Sequence, residues 1–103
     1  MDTKVKALRA LADENRLNII DMLSCGERCA CDIVEGLSLT QPTVSHHLKI
    51  LQSVGLVDIR KDGKWRIFSL NRSSFSELST FIESISTDKT DCICYNVDKS
   101  CEC

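Results

Sequence analysis

A chain of 103 residues with a formal net charge of −2 and seven cysteines has room for a single domain, because domains usually run to roughly 100–150 residues. So short a chain buries a thin core, and dimerisation is a natural way to cover the remaining apolar surface. Its apolar runs fall far below the roughly 18 residues needed to span a bilayer, and Met1 to Ala12 mixes Lys and Arg with Val, Leu and Ala in a helical rather than secretory pattern, so the expected location is cytoplasmic, with no membrane partner.

In chain order, Val5, Leu8 and Leu11 repeat at helical spacing and predict a first helix from about Thr3 to Ala12. Asp13 is a good N-cap for a second helix, whose apolar stripe is Ile19, Met22 and Leu23 and which Gly26 stops. A short third helix is expected over Asp32 to Gly36, then a turn at Leu37-Ser38-Leu39. Thr40 caps a fourth helix, Gln41 to Ser53, with Pro42 in the first turn, where a missing N–H costs nothing. The period then changes. Leu56 to Arg60 and Lys64 to Leu70 are strand candidates, and Asp62-Gly63 between them is a hairpin signal. A last helix follows Asn71, with Phe75, Leu78, Ile82 and Ile85 at intervals of three and four. From Thr87 onward the chain has few hydrophobic anchors, so residues 1–86 form the domain and 87–103 a cysteine-rich tail that metal could order.

This order of elements is mainly α with a β-hairpin wing, a winged helix-turn-helix. In such an arrangement the second helix of the motif enters the major groove and its outward side chains meet base edges. Val44, Leu48 and Leu51 must face the core, which leaves Gln41, Thr43, Ser45, His46 and Lys49 outward. Gln pairs bidentately with adenine, Ser and Thr donate or accept, and Lys meets phosphate or guanine. His46 and His47 diverge by about 100°, so one faces DNA while the other packs inside. The hairpin adds Lys61, Lys64 and Arg66. The acidic total is no obstacle: His46 to Arg66 carries Lys49, Arg60, Lys61, Lys64 and Arg66 against Asp58 and Asp62, and the negative charge collects after Glu83. Double-stranded DNA needs local positive charge, not a basic protein.

The run Leu39 to Leu51, then Val54 to Val57, together with Leu11 to Leu17 before it and Asp62 to Trp65 after it, resembles the recognition segment of the ArsR/SmtB family of metal-responsive repressors, over roughly Lys4 to Ile85. The resemblance implies an operator-binding homodimer whose first and last helices pack together, with Val5, Leu8, Phe75, Leu78 and Ile82 at the interface.

Without an export signal, an odd number of thiols points to metal ligands or redox sensors rather than structural disulfides. Cys29-Ala30-Cys31-Asp32-Ile33 resembles the Cys-Val-Cys-Asp-Leu signature of the arsenite- and cadmium-sensing branches of the family, which implies ligand roles for Cys29 and Cys31. The chain departs from those branches elsewhere. Val34 stands where one arsenite-sensing type has a third cysteine, and no cysteine precedes Cys25. No histidine lies between Ser73 and Ser86, so the zinc-sensing site of the last helix is absent. As(III) prefers three thiolates, and Cd(II) or Pb(II) accept three or four, since soft ions select sulfur. The third donor is expected from Cys92, Cys94, Cys101 or Cys103, in the same chain or a partner; a separate site within the tail is the alternative, and Cys25 is either a ligand or a small buried hydrophobe. Residues two apart on a regular helix point about 200° from each other, so an ion held by Cys29 and Cys31 should favour an unwound or bent start to the third helix.

The expected function is therefore a repressor released from DNA by As(III) or Sb(III), with Cd(II) or Pb(II) next. The rivals are a thiol-redox or persulfide sensor of the same fold, and a metal-storage or delivery protein that works through its tail. An enzyme is not expected: the chain has no Cys-x-x-Cys pair, no His-Glu-x-x-His and no glycine-rich phosphate loop.

Overall fold

The computed structural model describes residues 2–87. Within them five helices and three strands follow in the order α1 (Asp2–Leu11), α2 (Glu14–Ser24), β1 (Arg28–Cys29), α3 (Ala30–Leu37), α4 (Gln41–Ser53), β2 (Val57–Asp62), β3 (Trp65–Leu70) and α5 (Arg72–Ser86). None of these helices is long and apolar enough to cross a membrane.

Side-chain caps set the helix starts. The Asp13 carboxylate accepts from the Arg16 amide at 3.1 Å to open α2, and the Asn71 side-chain oxygen accepts from the Ser74 amide at 3.0 Å to open α5. Thr40 opens α4, with Pro42 in its first turn as expected. Each cap satisfies an amide that the helix itself leaves without a partner. Between α3 and α4 the chain turns at Ser38, a non-glycine residue in the left-handed region (φ 54, ψ 39).

The sheet has the order β1-β3-β2, antiparallel throughout. Two details differ from the sequence expectation. Strand β1 was not foreseen; it carries two rungs, Arg28 opposite Phe68 and Cys29 opposite Ile67, and leads directly into α3, which therefore starts at Ala30 rather than Asp32. The hairpin also turns one residue later than the Asp-Gly signal implied. Asp62 still pairs with Trp65, so Gly63 and Lys64 are the loop. Only Gly63 of the two has positive φ (62°), the φ pattern of a type II′ turn with Gly at its first central position.

The core joins α1 to α5 and one face of the sheet. Ile19, Leu23, Ile33, Val44, Leu48, Leu51, Leu56 and Val57 are the largest fully buried side chains, with Ala7, Ala10, Phe68 and Leu78 beside them. Each large apolar side chain contributes about 1.5–3 kcal/mol, whereas an exposed ion pair contributes about 0–1 kcal/mol. Apolar packing therefore holds α4 in place. Helix α3 lies close on α2: the Met22 methyl fills the space where a Cβ at Gly36 would sit. Leu78, expected at a dimer interface, is already buried inside its own chain, while Val5, Ile82 and Ile85 are exposed.

Candidate nucleic-acid interface and thiol pair

Helix α4 divides into two faces. Val44, His47, Leu48 and Leu51 point inward, while Gln41, Ser45, His46 and Lys49 are exposed and Thr43 is half-buried. Thr43 is partly committed, because the Thr40 hydroxyl donates to its hydroxyl at 2.7 Å. The two histidines separate as their helical angle requires: His46 faces out, and His47 is 8% exposed with its Nδ1 3.1 Å from Arg16 Nη1. A guanidinium can only donate, so Nδ1 accepts and the imidazole proton sits on Nε2.

The wing stands beside this helix. Lys61 and Arg66 oppose each other across β2 and β3, and Lys64 in the loop places its Nζ 5.3 Å from the centre of the Trp65 ring; all three cations are exposed. A groove of about 310 Å³ runs between α4 and the sheet, with Ser45, Lys49, Gln52 and Arg66 among its walls. Gln52 was missed in the sequence, although it lies on the turn after Lys49 and Ser45. Arg60 has a different fate. Its Nε and Nη2 donate to the two carboxylate oxygens of Glu27 at 2.9 and 3.0 Å, and Asp62 lies 4.0 Å away. The Arg60 guanidinium holds the Glu27 carboxyl below the usual carboxylate range. Of the five cations between residues 46 and 66, Arg60 is thus already neutralised, while Lys49, Lys61, Lys64 and Arg66 make no ion pair among the described residues.

The thiol pair sits where the sheet hands over to α3. Cys29 closes β1 and occupies the N-cap position in an extended conformation (φ −84, ψ 163), half-buried; Cys31 is exposed in the first turn. The pair therefore straddles the bend where β1 passes into α3, so the start of the third helix is already bent between the two cysteines. Cys25, at the C-terminal end of α2, is exposed and not a buried hydrophobe. Among the described residues no three His, Cys, Asp or Glu side chains group closely enough to hold a metal ion. Cys92, Cys94, Cys101 and Cys103 lie outside the described residues.

The model of the bacterial regulatory protein arsR family matches residues 13–58, from the cap of α2 into β2. The chain is 44% identical over 96 residues to the arsenical resistance operon repressor of Staphylococcus aureus, covering 93% of this chain and 91% of the relative. It is 36% identical over 74 residues to a cadmium resistance transcriptional regulatory protein CadC homolog of the same species, covering 71% and 61% of the two chains. Among solved structures it resembles a homodimeric winged helix-turn-helix DNA-binding domain from Mycobacterium bovis, with a TM-score of 0.70, 28% identity and 82% and 79% of the two chains covered.

Proposed function

The chain belongs to the arsR family of bacterial regulatory proteins, and from that premise we propose that it is a repressor that binds operator DNA as a homodimer and releases it when cysteine thiolates capture a soft metal or metalloid ion. Arsenite or antimonite is the first choice of inducer and cadmium or lead the second, in keeping with the arsenical and cadmium resistance regulators it resembles.

One observation carries this reading. A row of exposed polar side chains on α4, flanked by the unpaired cations of the wing, shares a small domain with two free thiols at the start of α3. Gln41, Thr43, Ser45, His46 and Lys49 meet base edges and phosphates, and Lys61, Lys64 and Arg66 meet the backbone beside them. A dimer presents two such helices to half-sites about 34–36 Å apart. The exposed Val5, Ile82 and Ile85 on α1 and α5 favour pairing through those helices. The groove between them, with Lys4, Thr80 and Phe81 in its wall, favours it too.

Cys29 and Cys31 supply two sulfur donors, a chemistry that selects soft ions over magnesium or calcium. The third thiolate comes from Cys92, Cys94, Cys101 or Cys103, in residues 87–103 of this chain or its partner. An ion that prefers one arrangement of the α3 start weakens DNA binding by its own differential affinity, typically about 1–3 kcal/mol, or 5- to 150-fold. The test is a titration of the DNA complex with arsenite, antimonite, cadmium, lead and zinc under reducing conditions. Release by arsenite or antimonite at the lowest concentrations supports the reading. Release only by an oxidant moves the protein to the redox-sensing class.

A further inference from the structure

Cys29 is a rung of the sheet as well as a thiol. It pairs with Ile67 on β3, and Ile67 in turn pairs with Arg60 on β2. Directly opposed residues of an antiparallel sheet share a face, so Cys29, Ile67 and Arg60 form one row across all three strands. Glu27, two residues before Cys29, reaches over this row and grips Arg60 with both carboxylate oxygens. Strand β1 is thus tied to the wing twice through its backbone and once through a side-chain clamp.

The opposite face of the wing carries the cations. Arg66 neighbours Ile67 in the chain, lies on the same face as the buried Phe68 and walls the groove against α4; Lys61 opposes it. A displacement of β3 at Ile67 therefore moves Arg66 and, through the next rung, Lys61.

An ion shared by two thiolates with bonds of about 2.3 Å brings the sulfurs to within about 4 Å of each other. Any backbone adjustment this demands falls on Cys29-Ala30-Cys31, and so on a residue already engaged in the sheet. The Glu27–Arg60 pair is exposed on both sides and adds little stability. Its two-pronged geometry instead fixes direction.

We infer that occupancy of the thiol pair is transmitted to DNA through the wing, along Cys29–Ile67–Arg60, with Glu27 as the positioning residue that makes β1 and the wing move together. The inference rests on the proposed ion-released repressor and adds the route by which release occurs. Two consequences are specific to that route. The wing responds to the ion in the absence of DNA, and the response weakens when the clamp is cut while ion capture persists.

The chain has a single tryptophan, Trp65, two residues from Ile67 on the same strand and face, which makes the wing optically visible. The experiment adds arsenite to the full-length reduced protein without DNA and follows Trp65 emission and hydrogen exchange over residues 65–70. Arsenite uptake and DNA affinity are measured in parallel on wild type, Cys29→Ser and Glu27→Gln. Expected are a change in emission and at least threefold faster or slower exchange in wild type, and neither in Cys29→Ser. In Glu27→Gln the expected result is arsenite uptake and ion-free DNA affinity within about twofold of wild type, but at least a fivefold smaller ratio of free to loaded DNA affinity. Silent Trp65 and unchanged exchange in a protein that arsenite does release from DNA would overturn the wing route alone. An unreduced ratio in Glu27→Gln would remove Glu27 from it, as would a loss of arsenite uptake in that variant. Wild type that keeps its DNA under saturating arsenite defeats the underlying reading instead.

Discussion

The Arg16 guanidinium, 15% exposed, reaches 31 residues along the chain to donate to Nδ1 of His47, the buried histidine of α4. The same guanidinium donates through Nε to the Ala10 carbonyl near the end of α1 and lies 3.9 Å from the Asp13 carboxylate. One side chain thus joins the first helix, the cap of the second and the inward face of α4. Arg16→Met keeps an unbranched apolar stem and removes every side-chain donor, leaving a buried imidazole nitrogen and a carbonyl without partners. Since an unsatisfied buried polar group costs about 1–3 kcal/mol, urea denaturation should show a loss of about 2–3 kcal/mol. A loss under about 0.5 kcal/mol, in the range of ordinary surface substitutions, would mean that water replaces the guanidinium freely.

Little of that junction was legible in the sequence. Asp13 announces a cap, and the angle between adjacent helical positions requires His46 and His47 to part, but nothing local pairs Arg16 with a histidine two helices away. The helices and hairpin were legible because their apolar periods extend over enough residues to be distinct. Strand β1, at two residues, has no period to show, and without it the tie between Cys29 and the wing is invisible. The charge reading succeeded only in part for the same reason: Arg60 counts as a free cation in the sequence, yet Glu27, 33 residues earlier, has claimed it.

The caps and clamps also set an acid limit. The Arg16 backbone amide, and then its charge, hold the Asp13 carboxyl below its ordinary value; the Arg60 side chain does the same for Glu27. A carboxyl depressed in the folded state adds stability above its unfolded value, near pH 4. That contribution is lost as the pH falls through the folded value. The melting temperature should therefore hold between pH 7 and about 5 and fall below about 4. Asp13→Asn, which keeps the capping oxygen without the charge, should fall less steeply. Equal slopes for the two proteins at low salt would assign the acid limb to other carboxylates.

Ser38 holds the turn of the helix-turn-helix in a conformation that costs an L-residue about 1–2 kcal/mol. Glycine escapes that cost but loses some of the gain to its freer unfolded chain. Ser38→Gly should accordingly raise stability by about 0.5–1 kcal/mol, and Ser38→Val should lower it. A destabilised glycine variant would show that the Ser38 side chain makes a contribution larger than its strain.

For DNA, Lys64 at the wing tip is the cleanest probe, since it belongs to a two-residue loop, is exposed and lies over the Trp65 ring. Lys64→Ala should weaken binding to operator and unrelated duplex by a similar factor. The slope of log affinity against log salt should flatten by about one. A loss confined to one base position, with the slope intact, would turn Lys64 from a phosphate contact into a reader of sequence.

The thiol pair provides the test of regulation. Cys29 caps α3 without a side-chain hydrogen bond, and Cys31 is exposed, so serine at both positions disturbs neither the core nor α4. Hydroxyl oxygen binds soft ions far less well than thiolate. The double variant should keep wild-type DNA affinity within about twofold, as expected for changes away from the interface, and stay bound at arsenite concentrations that release the wild type by 5- to 150-fold, the range of ordinary coupling energies. The separate serine variants should each lose most of the response, because one remaining sulfur cannot chelate. If the double variant still lets go at the wild-type concentration, the sensing thiols are elsewhere, and Cys25 and the cysteines after residue 87 become the next to replace.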